Sequence, residues 1–107
     1  STPLYSSAAS DVYKRQGEDF HPRETELLNT LLLFPGVIQE CVEKMEPFYL
    51  CQGLYEMAKA FSAFYHTCPV IHSEKPLALR RLWLVEATEK VMSLGLSLLG
   101  IRSLERM

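Results

Sequence analysis

The side chains able to perform acid–base, metal or nucleophilic chemistry are few in this sequence and are not grouped in a catalytic spacing. His21, His66 and His72 do not share a helix face as metal ligands would, and no carboxylate stands beside them in a ligand pattern. The sequence has no glycine-rich phosphate loop, no GxSxG and no Walker lysine. Glu86 and Glu89 share a helix face, most simply as a solvated edge. We therefore expect no catalytic site, no metal site and no cofactor in this chain alone.

The three cysteines, Cys41, Cys51 and Cys68, are an odd number and form no CxxC pair. Free thiols, buried as small hydrophobic groups in a reducing compartment, are expected. The longest apolar run is far too short for a membrane span, and the N-terminus lacks the apolar core of a secretory signal. We therefore expect a cytoplasmic protein, or the mature part of an organellar one, with no membrane partner.

The overall balance of the 107 residues is that of an ordinary globular domain, with 48% hydrophobic and 22% charged residues. Disordered, collagenous and disulfide-scaffold classes are excluded. A net charge of −2 argues against sequence-blind binding to duplex nucleic acid, so no DNA partner is expected. Local recognition of a few unpaired bases remains allowed.

The helix predicted over Pro47–Cys68 is the element around which the rest is organised. An apolar stripe at helical spacing consists of Leu50, Leu54, Ala58, Phe61, Tyr65 and Cys68, widened by Met57 and Phe64. Gln52, Glu56, Lys59 and His66 occupy the opposite side. The aromatic rings are explained equally well as core filling.

The remaining elements are also predicted to be helices. Residues 1–17 match no periodicity and are interpreted as a flexible, non-native leader, followed by a helical domain over residues 18–107. Short helices are expected over Arg23–Leu33 and Pro35–Met45, separated at Phe34–Pro35. The last helix should begin at Pro76 and end at a left-handed Gly100, with Gly95 allowing another backbone to come close. The fold class is therefore all-α, an antiparallel bundle of about four helices.

Without an active site, the remaining hypothesis from the residues is a binding surface. Exposed aromatic rings such as that of Tyr65 can stack on unpaired bases, and arginines such as Arg102 and Arg106 can hold phosphates. In an antiparallel pair of helices these groups would lie at opposite ends, unless the C-terminal tail folds back. Buried rings and merely solvated arginines are an equally good interpretation of the pattern.

Two blocks of the sequence resemble a known family. They are LLLFPGVIQECVEKMEPFYLCQGLYEMAKAFSAFYHTCPV and RRLWLVEATEKVMSLGLSLLGIRSLERM, with Phe34-Pro35, Glu46-Pro47, Phe64-Tyr65, Leu98-Leu99-Gly100-Ile101 and Glu105-Arg106-Met107 as matching features. They are similar to the C-terminal, DALR-type anticodon-binding domain of arginyl-tRNA synthetases. The resemblance covers about residues 24–107 and lacks a counterpart of the family's first helix.

This resemblance implies an anticodon-binding module that holds the anticodon stem and loop of tRNA-Arg for a class I ligase. It assigns anticodon contacts to Tyr65 and Met107, with Arg106 and His66 as neighbours. ATP and Mg²⁺ would then belong to a catalytic domain outside this chain, and this domain is a further expected partner.

An alternative hypothesis is a protein-interaction module that docks through Leu79, Leu82 and Trp83.

Overall fold

The computed structural model describes residues 20–70 and 73–106, and for residues 102–106 it describes the backbone alone. It contains α1 (Pro22–Lys44), α2 (Phe48–Thr67) and α3 (Lys75–Arg106), and every regular element of the described residues is a helix. The all-α class predicted from the sequence is confirmed, with three helices where about four were expected. The predicted leader, residues 1–17, lies outside the described residues.

The first helix continues through Pro35, so the predicted break at Phe34–Pro35 is wrong. A proline inside a helix costs about 3 kcal/mol because it removes a backbone donor and crowds the preceding turn. Phe34 is only 3% exposed, and Leu31, Val37 and Ile38 pack against the same core on either side of the proline. Packing of this continuous apolar face holds the helix together across Pro35.

The end of α1 uses the backbone geometry that had been predicted for the end of the last helix. Met45 is left-handed, with φ of 51°, and its N–H donates to the Val42 carbonyl. The next N–H, that of Glu46, donates to the Cys41 carbonyl at 3.2 Å. These two bonds are those of a Schellman ending, formed here by a residue other than glycine.

The second helix lies within one residue of its predicted bounds, with Pro47 just before it and Cys68 just after it. Its buried face is turned relative to the predicted stripe: Ala58 and Tyr65 are exposed and Ala60 is buried. Phe64, which widened the predicted stripe, is buried as expected. The predicted solvent-facing side of the helix is confirmed, since Gln52, Glu56, Lys59 and His66 are all exposed. Periodicity could not place the stripe more closely because neighbouring positions such as Phe64 and Tyr65 are both aromatic.

The third helix does not end at Gly100, as predicted, but continues to Arg106. Gly100 is exposed and lies inside the helix. Gly95 does allow a close approach, but the neighbour is a side chain and not the predicted backbone. A Cβ placed on Gly95 would lie 2.5 Å from Cδ2 of Leu54.

The core consists of two clusters, which show that consecutive helices are antiparallel. The first cluster joins the start of α1, the end of α2 and the start of α3: Leu27, Leu28, Ala60, Phe64, Cys68 and Leu84. The second contains Phe34, Leu50, Leu54 and Met57, with Leu98 and Leu99 of α3 packed against it. We call the region around the first cluster the tyrosine end, because it includes Tyr65. We call the region around the second cluster the groove end, because a groove opens there beside Leu50, Leu98 and Leu99.

Candidate functional site

The Tyr65 ring lies on the last full turn of α2 and is 60% exposed. It stacks on the half-buried Phe61 ring one turn earlier, with 5.9 Å between ring centroids and 29° between ring planes. Phe61 in turn lies 6.1 Å from the fully buried Phe64 ring. An exposed aromatic ring is thus supported by two further rings that join it to the core, which is the arrangement of a stacking platform.

His66 follows Tyr65 on the same exposed side of the helix end. Its ring centroid is 6.2 Å from that of Tyr65, with 57° between the planes. The imidazole is exposed and can donate or accept a hydrogen bond. The structure therefore brings together two of the four residues to which anticodon contacts were assigned.

The other two predicted residues, Arg106 and Met107, stand at the end of the sequence. Met107 lies outside the described residues, and the side chain of Arg106 is not described, although its backbone belongs to α3. Leu84 of α3 packs in the same cluster as Phe64, and Arg106 is 22 residues further along the helix, about 33 Å at 1.5 Å per residue. The backbone of α3 is helical as far as Arg106 and so continues away from Leu84 toward the groove end, while a shared RNA contact of Tyr65 and Arg106 stays a prediction.

The connection after α2 is attached to α3 by a buried arginine. Arg81 is 8% exposed, and its NH1 group donates to the Pro69 carbonyl at 2.7 Å and to Ser73 Oγ at 3.0 Å. Cys68, between the helix and Pro69, is 1% exposed, and burial raises the pKa of its thiol. The predicted free thiols are confirmed for all three cysteines, of which only Cys68 is buried.

Glu24 is the acidic partner of two arginines at the tyrosine end. Its carboxylate is 0% exposed and accepts from Arg80 at 2.9 and 3.1 Å and from Arg81 at 3.5 Å. The guanidinium of Arg80 also lies 4.1 Å from the Phe20 ring centroid. Two cations around one buried carboxylate join the first turn of α1 to the first turns of α3.

The sequence of α1 explains why Glu24 occupies this position. His21 precedes the helix, its Nδ1 accepts from the Arg23 N–H at 3.1 Å, and its own N–H donates to Glu24 Oε1 at 3.1 Å. Burial by itself would raise the pKa of Glu24. The hydrogen bonds from Arg80 and the His21 N–H, together with the charges of Arg80 and Arg81, outweigh burial and hold the pKa below its ordinary value of 4.5.

This cluster was missed at the level of the sequence, although a signal for it exists. Glu24 stands three and four residues before Leu27 and Leu28, and so lies on the apolar stripe of α1. Arg81 likewise stands three residues before Leu84, on the inner stripe of α3. A carboxylate and a guanidinium on two apolar stripes indicate a buried pair, because a buried charge must be paired.

The proposed docking surface on α3 is only partly free. Leu79 is 59% and Leu82 is 45% exposed, whereas Trp83 is half-buried and packs against the first core cluster. In the part of the chain that the structure describes, no three histidine, cysteine or carboxylate side chains are grouped as metal ligands. None of the described helices is both long and apolar enough to cross a membrane.

Comparison with known proteins identifies arginine–tRNA ligases as relatives. The chain is similar to arginine–tRNA ligases of Rippkaea orientalis (49% identity over 84 residues) and Shewanella amazonensis (46% over 88 residues). These matches cover 78% and 81% of this chain but only 14% and 15% of those proteins. No solved structure matches the chain.

The family comparison covers more of the chain than the individual relatives do. The model of the DALR anticodon binding domain matches residues 5–107, which include both Tyr65 and the Glu24 cluster. The chain therefore belongs to the family of DALR anticodon binding domains.

Proposed function

We propose that this chain is the anticodon-binding module of an arginine–tRNA ligase, and that it holds the anticodon loop of tRNA-Arg. The observation that carries the proposal is the family match over residues 5–107, together with relatives that are arginine–tRNA ligases. Because the chain spans about 15% of the length of such relatives, the aminoacylation itself is assigned to a class I catalytic domain outside it. ATP is a substrate of that domain and Mg²⁺ is its cofactor. The ligase acts in the cytoplasm.

Within the module, Tyr65 is the residue proposed to contact a base. Its ring is 60% exposed and supported from below by Phe61, so a base can stack on it without rearrangement of the core. His66 supplies a hydrogen-bonding group beside the ring. Arg106 and Met107 are proposed to contact the same RNA.

The proposal is tested with the 107-residue chain and a labelled RNA hairpin that carries the anticodon loop of tRNA-Arg. Tyr65→Ala should weaken binding by roughly 5- to 150-fold, the value of one stacked base. Tyr55→Ala is the matched control, because Tyr55 is 63% exposed on the same helix. Unchanged affinity of the Tyr65 variant, or an equal loss in both variants, would remove Tyr65 from the binding site.

A ligase that carries this domain provides the second measurement. Tyr65→Ala should raise the KM for tRNA-Arg and leave the KM values for ATP and arginine unchanged, because the anticodon contact is separate from the catalytic domain. A rise in the KM for ATP or arginine would contradict a role confined to the anticodon.

A protein-docking function is favoured by a different observation, the exposure of Leu79 and Leu82. These side chains would pack against the catalytic domain of the same ligase. Leu82→Arg should then abolish capture of a separately produced catalytic domain and leave RNA affinity unchanged. Loss of RNA binding with intact capture would assign Leu82 to the RNA surface instead.

A further inference from the structure

The last turn of α2, which carries Tyr65, lacks part of the ordinary helical support. In a continuing helix the Tyr65 carbonyl would accept from the N–H of residue 69, but that residue is a proline and has no N–H. The last bond across the helix end runs from the Cys68 N–H to the Phe64 carbonyl at 2.8 Å. The Tyr65 carbonyl therefore lacks the helical partner that a continuing helix would supply.

Arg81 holds the backbone that follows this helix end. One guanidinium nitrogen of this buried side chain donates both to the Pro69 carbonyl at 2.7 Å and to Ser73 Oγ at 3.0 Å. The Ser73 hydroxyl donates to the same Pro69 carbonyl. The connection between α2 and α3 is thus attached to the Arg81 side chain at two points, Pro69 and Ser73.

Arg81 is itself held by a carboxylate from the start of the chain's first helix. Glu24 Oε1 lies 3.5 Å from NH2 of Arg81, while the other contacts of Glu24 come from Arg80 and the His21 N–H. Because Glu24 is 0% exposed, its charge is screened little by water and attracts the guanidinium group of Arg81. The contacts therefore form a relay from Glu24 through Arg81 to Pro69, four residues after Tyr65.

We infer that Glu24 and Arg81 are positioning residues for RNA binding. They hold the C-terminal end of α2 in the position in which the Tyr65 ring stacks on a base. The inference rests on the proposed function and deepens it, since neither residue touches RNA in this mechanism. It assigns a functional role to a cluster that would otherwise only stabilise the fold.

The sign of the effect at Glu24 separates positioning from simple electrostatics. Glu24→Gln removes a negative charge, and long-range attraction alone would then strengthen RNA binding. If Glu24 positions Arg81, the substitution instead removes this ionic contact and lowers the RNA affinity about fivefold or more. A hydrogen bond to a charged group is worth a free energy large enough for such a change. Tighter or unchanged binding by the folded Glu24→Gln chain overturns the inference.

A double-mutant cycle with Tyr65 tests the route of the effect. Arg81→Lys keeps the positive charge but removes the planar guanidinium group with its several N–H donors. As a single substitution it should weaken RNA binding. In the Tyr65→Ala background the same substitution should have little further effect, because the group that it positions is gone. Independent, additive losses from Arg81→Lys and Tyr65→Ala would overturn a positioning role. If Tyr65→Ala itself has no effect, the proposed function fails first and the inference falls with it.

Two further variants keep the test decisive if the buried substitutions unfold the chain. Ser73→Ala removes a half-buried hydroxyl from the relay without introducing a buried charge, and it should weaken RNA binding in a chain that circular dichroism shows to be folded. Leu50→Ala destabilises the opposite end of the core and should leave the RNA affinity of the folded chain unchanged. Equal losses in the Ser73 and Leu50 variants would mean that general stability, and not positioning, controls affinity, which overturns the inference.

Discussion

The two ends of the bundle are built from the same three helices but are held together by different forces. At the tyrosine end, Glu24 and the two arginines add directional contacts to an apolar cluster. At the groove end the core cluster of the described residues is apolar, and a groove of about 320 Å³ opens beside Leu50, Leu98 and Leu99. Apolar packing is tolerant of small shifts, whereas a buried ion pair allows few arrangements. The end that carries the exposed Tyr65 is thus the end with the more restrictive contacts.

The largest difference between the two ends should appear when one polar contact is removed. Arg81→Met should lower the free energy of unfolding by about 3 kcal/mol, the lower part of the range for a broken buried pair, because Glu24 keeps Arg80. Val42→Ala at the groove end, where Val42 is 69% exposed, should change it by less than about 0.5 kcal/mol. Urea denaturation of both variants measures the difference, and equal costs would show that the polar cluster does not distinguish the ends.

The groove end also shows where the sequence could not predict the fold. Proline and glycine at positions 35 and 100 are local signals for helix ends, and both were overridden in the structure. At Pro35 the deciding term is the burial of Phe34 against α2, a contact between residues far apart in the chain. By contrast, α2 was predicted within one residue because Pro47 and Pro69 flank a strongly amphipathic segment, and packing agrees with the local signals there.

The candidate site was predictable only in part for a related reason. Tyr65 and His66 could be placed at an exposed helix end because residue type and position along a helix are local properties, and their contact with RNA stays a prediction. The bonds from Glu24 to Arg80 and Arg81 join residues 56 and 57 positions apart, and periodicity carries no information about such pairs. Antiparallel helices were expected to place Tyr65 and Arg106 at opposite ends unless the C-terminal tail folds back, and the backbone of α3 remains helical to Arg106.

Acid should weaken the tyrosine end through Glu24. Its pKa is lower in the folded chain than the ordinary 4.5, so the stability that it contributes is fully present above 4.5 and is lost as the pH falls through the folded value. The single tryptophan, Trp83, packs against the first cluster and reports on this end by fluorescence. Glu24→Gln should reduce the loss of stability below pH 4.5. The same acid dependence in both chains would assign the transition to other carboxylates.

A smaller loss is expected where α3 crosses α2 between the two ends. Gly95→Val would place a branched side chain against Leu54, which is 5% exposed and has little room to move. Overpacking of this kind costs about 1–3 kcal/mol. Thermal unfolding measures the loss, and Leu54→Ala combined with Gly95→Val should recover part of it by making space. No recovery in the double variant would mean that Leu54 is not the group that limits this position.

The smallest effect should be a gain at the groove end, at Gly100. No atom lies within 4 Å of a Cβ placed there, and the residue is inside α3 and not at a left-handed end. Gly100→Ala should therefore raise the free energy of unfolding by about 0.5–1 kcal/mol, because alanine loses less conformational freedom than glycine when it enters a helix. If Gly100 instead ended the helix in a left-handed conformation, alanine would be strained and the substitution would destabilise. The sign of the change in urea denaturation thus tests whether α3 runs past Gly100, and with it the separation of Tyr65 from Arg106.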